Sequence, residues 1–122
     1  MFNDSKNEGS FLIDRLFGND AEATRILLDG DFADVERYIT EFSFGEVYMR
    51  EGLNLEVREI ITLTVLIAIG ASKGQLRMHI KSLLKLGLSK KDVAEVIIQT
   101  LPNVGFPKVL DAIGVAKTVF SE

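Results

Sequence analysis

The chain has 122 residues, 47% of them hydrophobic, and its 14 basic and 18 acidic residues give a net charge of −4. This length fits one domain, and the acidic balance excludes the basic surface with which nucleic-acid-binding proteins neutralise phosphates. The absence of cysteine excludes disulfides and thiolate chemistry, and a single histidine excludes a multi-histidine metal site within one subunit, which leaves only carboxylates as ligands for magnesium or calcium.

Helical periodicity dominates the N-terminal half of the sequence. Residues 1–9 are polar and are predicted to be disordered, and they lack the basic start and apolar run of a secretory signal, so we expect a cytoplasmic protein. Short helices are predicted for residues 10–17 and 20–28. Asp31 is predicted to cap a longer helix that ends at residues 51–52. One face of that helix is apolar and is formed by Val35, Tyr38, Ile39, Phe42 and Met49.

An uncharged segment lies at the start of the C-terminal half. It covers residues 60–72, 13 residues in all, in a helix that Asn54 is predicted to cap. A membrane-spanning helix needs about 20 apolar residues, so this segment predicts a buried core helix and no membrane span. A turn is predicted at residues 70–74.

The remaining helices are bounded by glycine and proline. Residues 75–86 form a predicted helix that ends at Gly87, a left-handed C-terminal cap. Ser89 and Asp92 predict a capping box for the next helix, which Pro102 ends. Pro107 begins the last helix. The expected buried face of that helix consists of Val109, Leu110, Ile113, Ala116 and Phe120.

These patterns predict an all-α fold, a single-domain bundle of about six to seven helices over residues 1–122. The mean hydropathy of +0.18 is high for so small a chain. Small proteins have a large surface for their volume, so such a chain is expected to bury apolar surface against other copies of itself.

Several short motifs follow one another in a defined order between Phe42 and Phe120. They are a Gly-acid-x-aromatic-x-Arg run, an Arg-Glu pair before an apolar helix, Gln-Leu-x-x-His, a glycine-capped turn, a Glu-Val pair and Gly-x-Pro. The stretches that carry them are FSFGEVYMREGLNLEVREIITL, QLRMHIKSLLKLGLSKKDVAEVIIQ, VGFP and VLDAIGVAK. In order and spacing they resemble the carboxymuconolactone decarboxylase-like family, which has the alkylhydroperoxidase D-like fold.

The resemblance implies both an assembly and an activity. Members of the family form homotrimers or homohexamers, and the hexamer is the expectation here. One branch decarboxylates 4-carboxymuconolactone, a small cyclic acid and lactone, without a cofactor. The other branch reduces alkyl hydroperoxides with a Cys-x-x-Cys pair, a preceding glutamate and a following histidine.

This chain departs from the peroxidase pattern at both cysteines. Counting back from His79, the cysteine positions fall on Ser72 and Gln75, and the glutamate falls on Glu59. Peroxide reduction needs one thiolate that attacks and a second thiol that resolves the product, so thiol peroxidase activity is disfavoured. A second departure is Asn103, where the family pattern has an aromatic residue; if that position lines the substrate pocket, the ligand is expected to differ from the usual one.

His79 and Glu59 are the predicted catalytic residues. His79 lies on the apolar stripe of its helix, where it is either a buried structural histidine or a proton donor and acceptor in a half-buried pocket. Glu59, in the first turns of an apolar helix, is either a partner of the helix dipole or of a neighbouring basic residue in a salt bridge, or a carboxylate poised against His79. The resemblance favours the catalytic interpretation of His79.

Arg50 and Glu46 are the predicted substrate-binding residues. They are spaced as an i, i+4 pair, which on an exposed helix is worth only about 0.3–0.5 kcal/mol. Alternatively, Arg50 binds a substrate carboxylate with two hydrogen bonds and Glu46 orients it. Arg58 is a second candidate for that carboxylate.

Two functions of different classes therefore stay open. The first is a lyase that needs no cofactor and acts on a small organic acid or lactone. The second is a non-catalytic helical oligomer that binds a small apolar ligand. No metal and no nucleic acid is expected in either.

Overall fold

A computed structural model describes residues 2–122, with side chains from Asp4 onward, and every regular element in this range is helical. The prediction of an all-α fold is confirmed. The chain divides into two compact units, Met1–Leu55 and Glu56–Glu122, so the single domain over residues 1–122 stays a prediction. The α-helices are α1 (Phe2–Phe17), α2 (Glu22–Leu27), α3 (Ala33–Arg37), α4 (Leu55–Ile69), α5 (Lys73–Lys85), α6 (Lys90–Gln99), α7 (Leu101–Val104) and α8 (Phe106–Phe120).

The predicted disorder of residues 1–9 is wrong for the described part of that segment. Helix α1 begins at Phe2, although Met1 lies outside the described residues. The reason is a tertiary contact, because buried Gly9 of α1 packs directly against the backbone of Thr40. A polar sequence is thereby held helical by packing that its own periodicity does not show.

A π-helix of ten residues, Tyr38–Val47, follows α3. The sequence predicted one continuous α-helix from Asp31 to residue 51, and this prediction is wrong. The segment begins instead with a short 3₁₀ turn at Gly30–Phe32, where the Asp29 side chain accepts a hydrogen bond from the Gly30 N–H at 2.9 Å. π-helices are rare and usually a single turn long, so this segment is unusual.

The wider π-helical turn changes which residues of the first unit are buried. The predicted apolar face is largely exposed, with Tyr38 56% and Phe42 59% accessible. Phe44 and Gly45 are buried in its place. The ring of Phe44 packs edge-on against Phe17 at 5.6 Å between centroids. A helix with i→i+5 hydrogen bonds turns its side chains by a different angle per residue, so an α-helical pattern assigns its buried face incorrectly.

Two glycines allow α1 and the π-helix to touch at backbone level. A Cβ added to Gly9 would overlap the carbonyl oxygen of Thr40, and one added to Gly45 would overlap the carbonyl oxygen of Ser5. No side chain fits at either position without moving one helix away from the other. The packing of the first unit therefore depends on both glycines.

The second unit has a continuous apolar core. Its fully buried side chains come from α4, α5, α6 and α8 and include Leu63, Ile67, Ile80, Leu83, Val93, Ile97 and Ala112. Helix α4, predicted to be buried, has Leu63 and Ile67 in this core. None of the helices described from Phe2 onward combines the length and the apolar character needed to cross a membrane.

Two predicted helix caps of the second unit are confirmed. Gly87 has φ = 108°, and the Leu88 N–H donates to the Leu83 carbonyl at 3.1 Å, as in a Schellman motif. Ser89 and Asp92 form the predicted capping box, with each side chain accepting from the other residue's backbone N–H.

Three details of the second unit differ from prediction. Pro102 does not end α6, which ends at Gln99, and lies instead in the first turn of α7. Helix α5 begins at Lys73 and not at Gln75, because the Ser72 hydroxyl caps it by accepting from the Gln75 N–H at 3.2 Å. In α8, Val109 and Ala116 are buried as predicted, whereas Leu110 is 59% exposed. Leu110 follows Val109 by one residue, or 100° around the helix, which turns it out of the core.

Candidate functional site

Glu59 and His79 meet inside the second unit. Glu59 lies in the second turn of α4 and His79 in the middle of α5, and Nδ1 of His79 is hydrogen-bonded to Oε1 of Glu59. The Glu59 side chain is fully buried, while that of His79 retains 8% exposure. The structure thus brings together the two predicted catalytic residues, which are 20 positions apart in the sequence.

The hydrogen bond between Glu59 and His79 distinguishes the two nitrogens of the imidazole ring. When Glu59 is ionised it can only accept hydrogen bonds, and Nδ1 is then the nitrogen that carries the proton toward it. The other nitrogen, Nε2, is then the one that would exchange a proton with a bound molecule. A carboxylate behind an imidazole both selects this tautomer and stabilises the imidazolium when it forms, which is the arrangement required of a general acid or base.

Ser82 is a third member of this cluster, and the sequence did not reveal it. Its hydroxyl donates to Oε1 of Glu59 at 2.6 Å and lies 2.9 Å from the carbonyl oxygen of His79. Ser82 is fully buried. The only sign in the sequence was its position three residues after His79, which places both side chains on one side of α5.

Buried apolar residues lie beside the cluster on both helices. One turn after Glu59 is the buried Leu63, and Leu76 and Leu83 flank His79 at one turn on either side. Among the side chains that the structure describes, no buried polar atom lacks a hydrogen-bond partner. Hydrogen bonds in such a medium of low polarity are stronger than in water, so the cluster holds a fixed geometry.

Glu46 and Arg50, the predicted substrate-binding residues, lie in the first unit. Both are exposed. Glu46 belongs to the π-helix, which ends at Val47, so the two residues are not an i, i+4 pair on one α-helix as predicted. Arg58 lies on α4 of the second unit, next to Glu59 in sequence, and is half-buried. Binding of a carboxylate by either arginine stays a prediction.

Ser72 and Gln75, which occupy the positions of the two cysteines in the peroxidase pattern, lie at the start of α5. Ser72 caps α5 and Gln75 lies in the first turn of that helix, and both are exposed. Asn103, which stands in place of the expected aromatic residue, is exposed on α7. From Phe2 onward, no three histidine, aspartate or glutamate side chains gather in a metal-binding group.

Comparison with known proteins identifies the family of this chain. The profile of the carboxymuconolactone decarboxylase family matches residues 33–118, a range that includes Glu46, Arg50, Glu59 and His79. The 4-carboxymuconolactone decarboxylase of Acinetobacter baylyi is 33% identical over 89 residues, which cover 73% of this chain and 66% of the relative.

A second relative gives a similar alignment. It is an uncharacterized 15.0 kDa protein from the nqo9-nqo10 intergenic region of Paracoccus denitrificans, 34% identical over 83 residues, or 67% of this chain and 62% of the relative. The chain thus spans slightly less than two thirds of the length of these curated relatives. Because the family profile covers most of the chain, this protein belongs to the carboxymuconolactone decarboxylase family.

Proposed function

We propose that this protein is a lyase that needs no cofactor and acts on a small cyclic organic acid or lactone, as the name of its Acinetobacter relative suggests. The observation that carries the proposal is the buried hydrogen bond between Glu59 and His79. Burying a carboxylate is costly, and an apolar residue at this position would pack without that cost. A function that uses the imidazole is a sufficient reason to keep the pair.

The proposed reaction uses His79 as the acid. When the bond from carbon to the substrate carboxylate breaks, carbon dioxide leaves and the electron pair stays on carbon. The Nε2 proton of the His79 imidazolium then forms the new bond to that carbon, and the neutral ring regains a proton from solvent. Glu59, at Nδ1, stabilises the imidazolium before the transfer and fixes the ring orientation during it.

The substrate carboxylate needs a cation until it leaves as carbon dioxide. Arg50, oriented by Glu46, and Arg58 are the two candidates, because a guanidinium holds a carboxylate with two parallel hydrogen bonds. Arg50→Gln and Arg58→Gln distinguish the two candidates. Replacing the arginine that binds the substrate carboxylate is expected to raise KM, and replacing the other arginine is expected to leave KM unchanged.

Purified protein incubated with 4-carboxymuconolactone tests this function directly. We expect loss of the lactone and release of one carbon dioxide per molecule consumed, with no added metal or coenzyme. If several such lactones and acids bind, as shown by a rise in melting temperature, but none is turned over, the non-catalytic binding function is correct instead. Wild-type turnover that survives replacement of Glu59 by Gln would contradict the proposed role of the pair.

We further propose that the protein assembles as a homotrimer or homohexamer. On α4 of the second unit, Ile61, Val65 and Ile69 are spaced by four residues and are 47%, 51% and 67% exposed. They form an exposed aliphatic stripe, and covering it with the surface of another copy would remove apolar area from water.

Sedimentation equilibrium at micromolar concentration tests the assembly. We expect a mass of three or six chains for the wild type. Val65→Lys, which places a charge in the stripe, is expected to dissociate the assembly, whereas Gln99→Lys adds the same charge at an exposed position of α6 and leaves it intact. A wild-type monomer at this concentration contradicts the proposal.

A further inference from the structure

The Ser82 hydroxyl lies between two acceptors but has one hydrogen to donate. One acceptor is Oε1 of Glu59 at 2.6 Å, and the other is the carbonyl oxygen of His79 at 2.9 Å. A serine inside a helix commonly donates to the carbonyl three or four residues earlier, so the contact with His79 is ordinary. The contact with a buried carboxylate is not, and it needs a separate explanation.

The same oxygen of Glu59 also meets Nδ1 of His79. When the pair carries one proton more than a neutral imidazole beside a carboxylate, that additional proton has two possible positions. On Nδ1 it gives an imidazolium beside a carboxylate, and on Oε1 it gives a neutral ring beside a carboxylic acid. The Ser82 hydroxyl stabilises the first arrangement by donating to the carboxylate. In the second arrangement the Ser82 hydroxyl donates to the His79 carbonyl oxygen and does not stabilise a charged group.

We propose that Ser82 is a positioning residue that keeps the shared proton on His79 by donating to Oε1 of Glu59. An imidazolium is the form that donates a proton through Nε2, whereas a neutral ring next to a carboxylic acid is a poor donor. Ser82 therefore acts through Glu59 and His79 without touching the substrate. The catalytic part of this inference rests on the proposed function, and the part that concerns proton position does not.

The only histidine of the chain makes the proton position directly measurable. In protein labelled with ¹⁵N at histidine, the two ring nitrogens give two resonances whose chemical shifts report whether each is protonated. Across a pH titration of the wild type, we expect Nδ1 to stay protonated. In Ser82→Ala, Nδ1 is expected to move toward the shift of an unprotonated nitrogen while Nε2 stays protonated. If the Nδ1 shift of Ser82→Ala follows that of the wild type at every pH, the inference is wrong.

Thr100→Val is the matched control for this measurement. Thr100 is buried in the same unit, and its hydroxyl donates to the Ile97 carbonyl at 2.6 Å, three residues earlier, as an ordinary helix serine or threonine does. This variant removes a buried hydroxyl and leaves Glu59 untouched, so the two His79 resonances should stay at their wild-type positions. Ser82→Thr keeps the hydroxyl and should restore the wild-type Nδ1 shift.

Activity gives an independent measurement. The free energy of a hydrogen bond to a charged group corresponds to a factor of about 10–100 in a rate constant. Ser82→Ala should therefore lower kcat by this factor and leave KM unchanged. Ser82→Thr should recover most of the loss, and an unchanged kcat in Ser82→Ala would overturn the catalytic part. If the wild type turns over no lactone, the proposed function fails, and the ¹⁵N shifts alone then decide the role of Ser82.

Discussion

Replacing His79 by Asn is expected to lower kcat on 4-carboxymuconolactone about 10²–10⁴-fold, which is the usual contribution of a positioned acid or base. The amide N–H of Asn lies near the position of Nδ1, so it can still donate to Oε1 of Glu59, but an amide does not transfer protons. The fully buried carboxylate therefore keeps a donor while the chemistry is lost. Initial rates and the melting temperature, measured on the same preparation, separate the two effects.

His79→Ala is the comparison that isolates the structural role of the ring. It removes the donor as well, so Glu59 is left buried with fewer hydrogen bonds, and breaking such a pair costs about 3–5 kcal/mol. We expect both variants to lose activity, and His79→Ala alone to melt at a clearly lower temperature. Should His79→Asn retain wild-type kcat, the histidine is structural and the proposed reaction is wrong.

Gly45→Ala is expected to destabilise the first unit by about 1–3 kcal/mol or more, as overpacked cores do. The added methyl would overlap the Ser5 carbonyl, and a backbone atom cannot move aside as a flexible side chain can. For a domain of this size, each 1 kcal/mol lowers Tm by about 4–8 °C. Gly9→Ala is expected to act in the same direction through the carbonyl oxygen of Thr40.

Gly114→Ala is the matched control in α8. Nothing lies within 4 Å of a Cβ added there, so the change should stabilise the helix by about 0.5–1 kcal/mol. The two tyrosines, Tyr38 and Tyr48, both lie in the first unit, and the chain has no tryptophan. Tyrosine fluorescence therefore reports the unfolding of the first unit. A tyrosine transition in Gly45→Ala at the wild-type temperature would contradict the predicted clash.

The sequence predicted best where structure is determined locally. The capping box of Ser89 and Asp92 and the left-handed Gly87 depend on residues within one turn of one another, so their pattern contains the needed information. The apolar core of the second unit also follows from α-helical spacing, since Leu76, Ile80 and Leu83 lie on one side of α5.

Prediction was less successful where the structure depends on contacts between helices. The π-helix over Tyr38–Val47 has no distinct residue pattern, so its exposed Phe42 was assigned to a buried face. Within the site, only the resemblance to a family connected Glu59 with His79. Ser82 was missed because a serine inside a helix is uninformative until the residue opposite it is known.

The burial of Glu59 also affects how its own helix is placed. Aliphatic residues occur on every side of α4, with Ile61 and Val65 exposed and Leu63 and Ile67 buried. The hydrophobic effect alone is therefore compatible with several rotations of the helix about its axis. Only one rotation directs the carboxylate to His79 and Ser82. Every other rotation either exposes Glu59 and breaks its hydrogen bonds, or buries the carboxylate without hydrogen-bond partners, which is costly. Glu59, His79 and Ser82 thus fix the rotation of α4 against α5, so the side chains of the candidate site also help to define a unique fold.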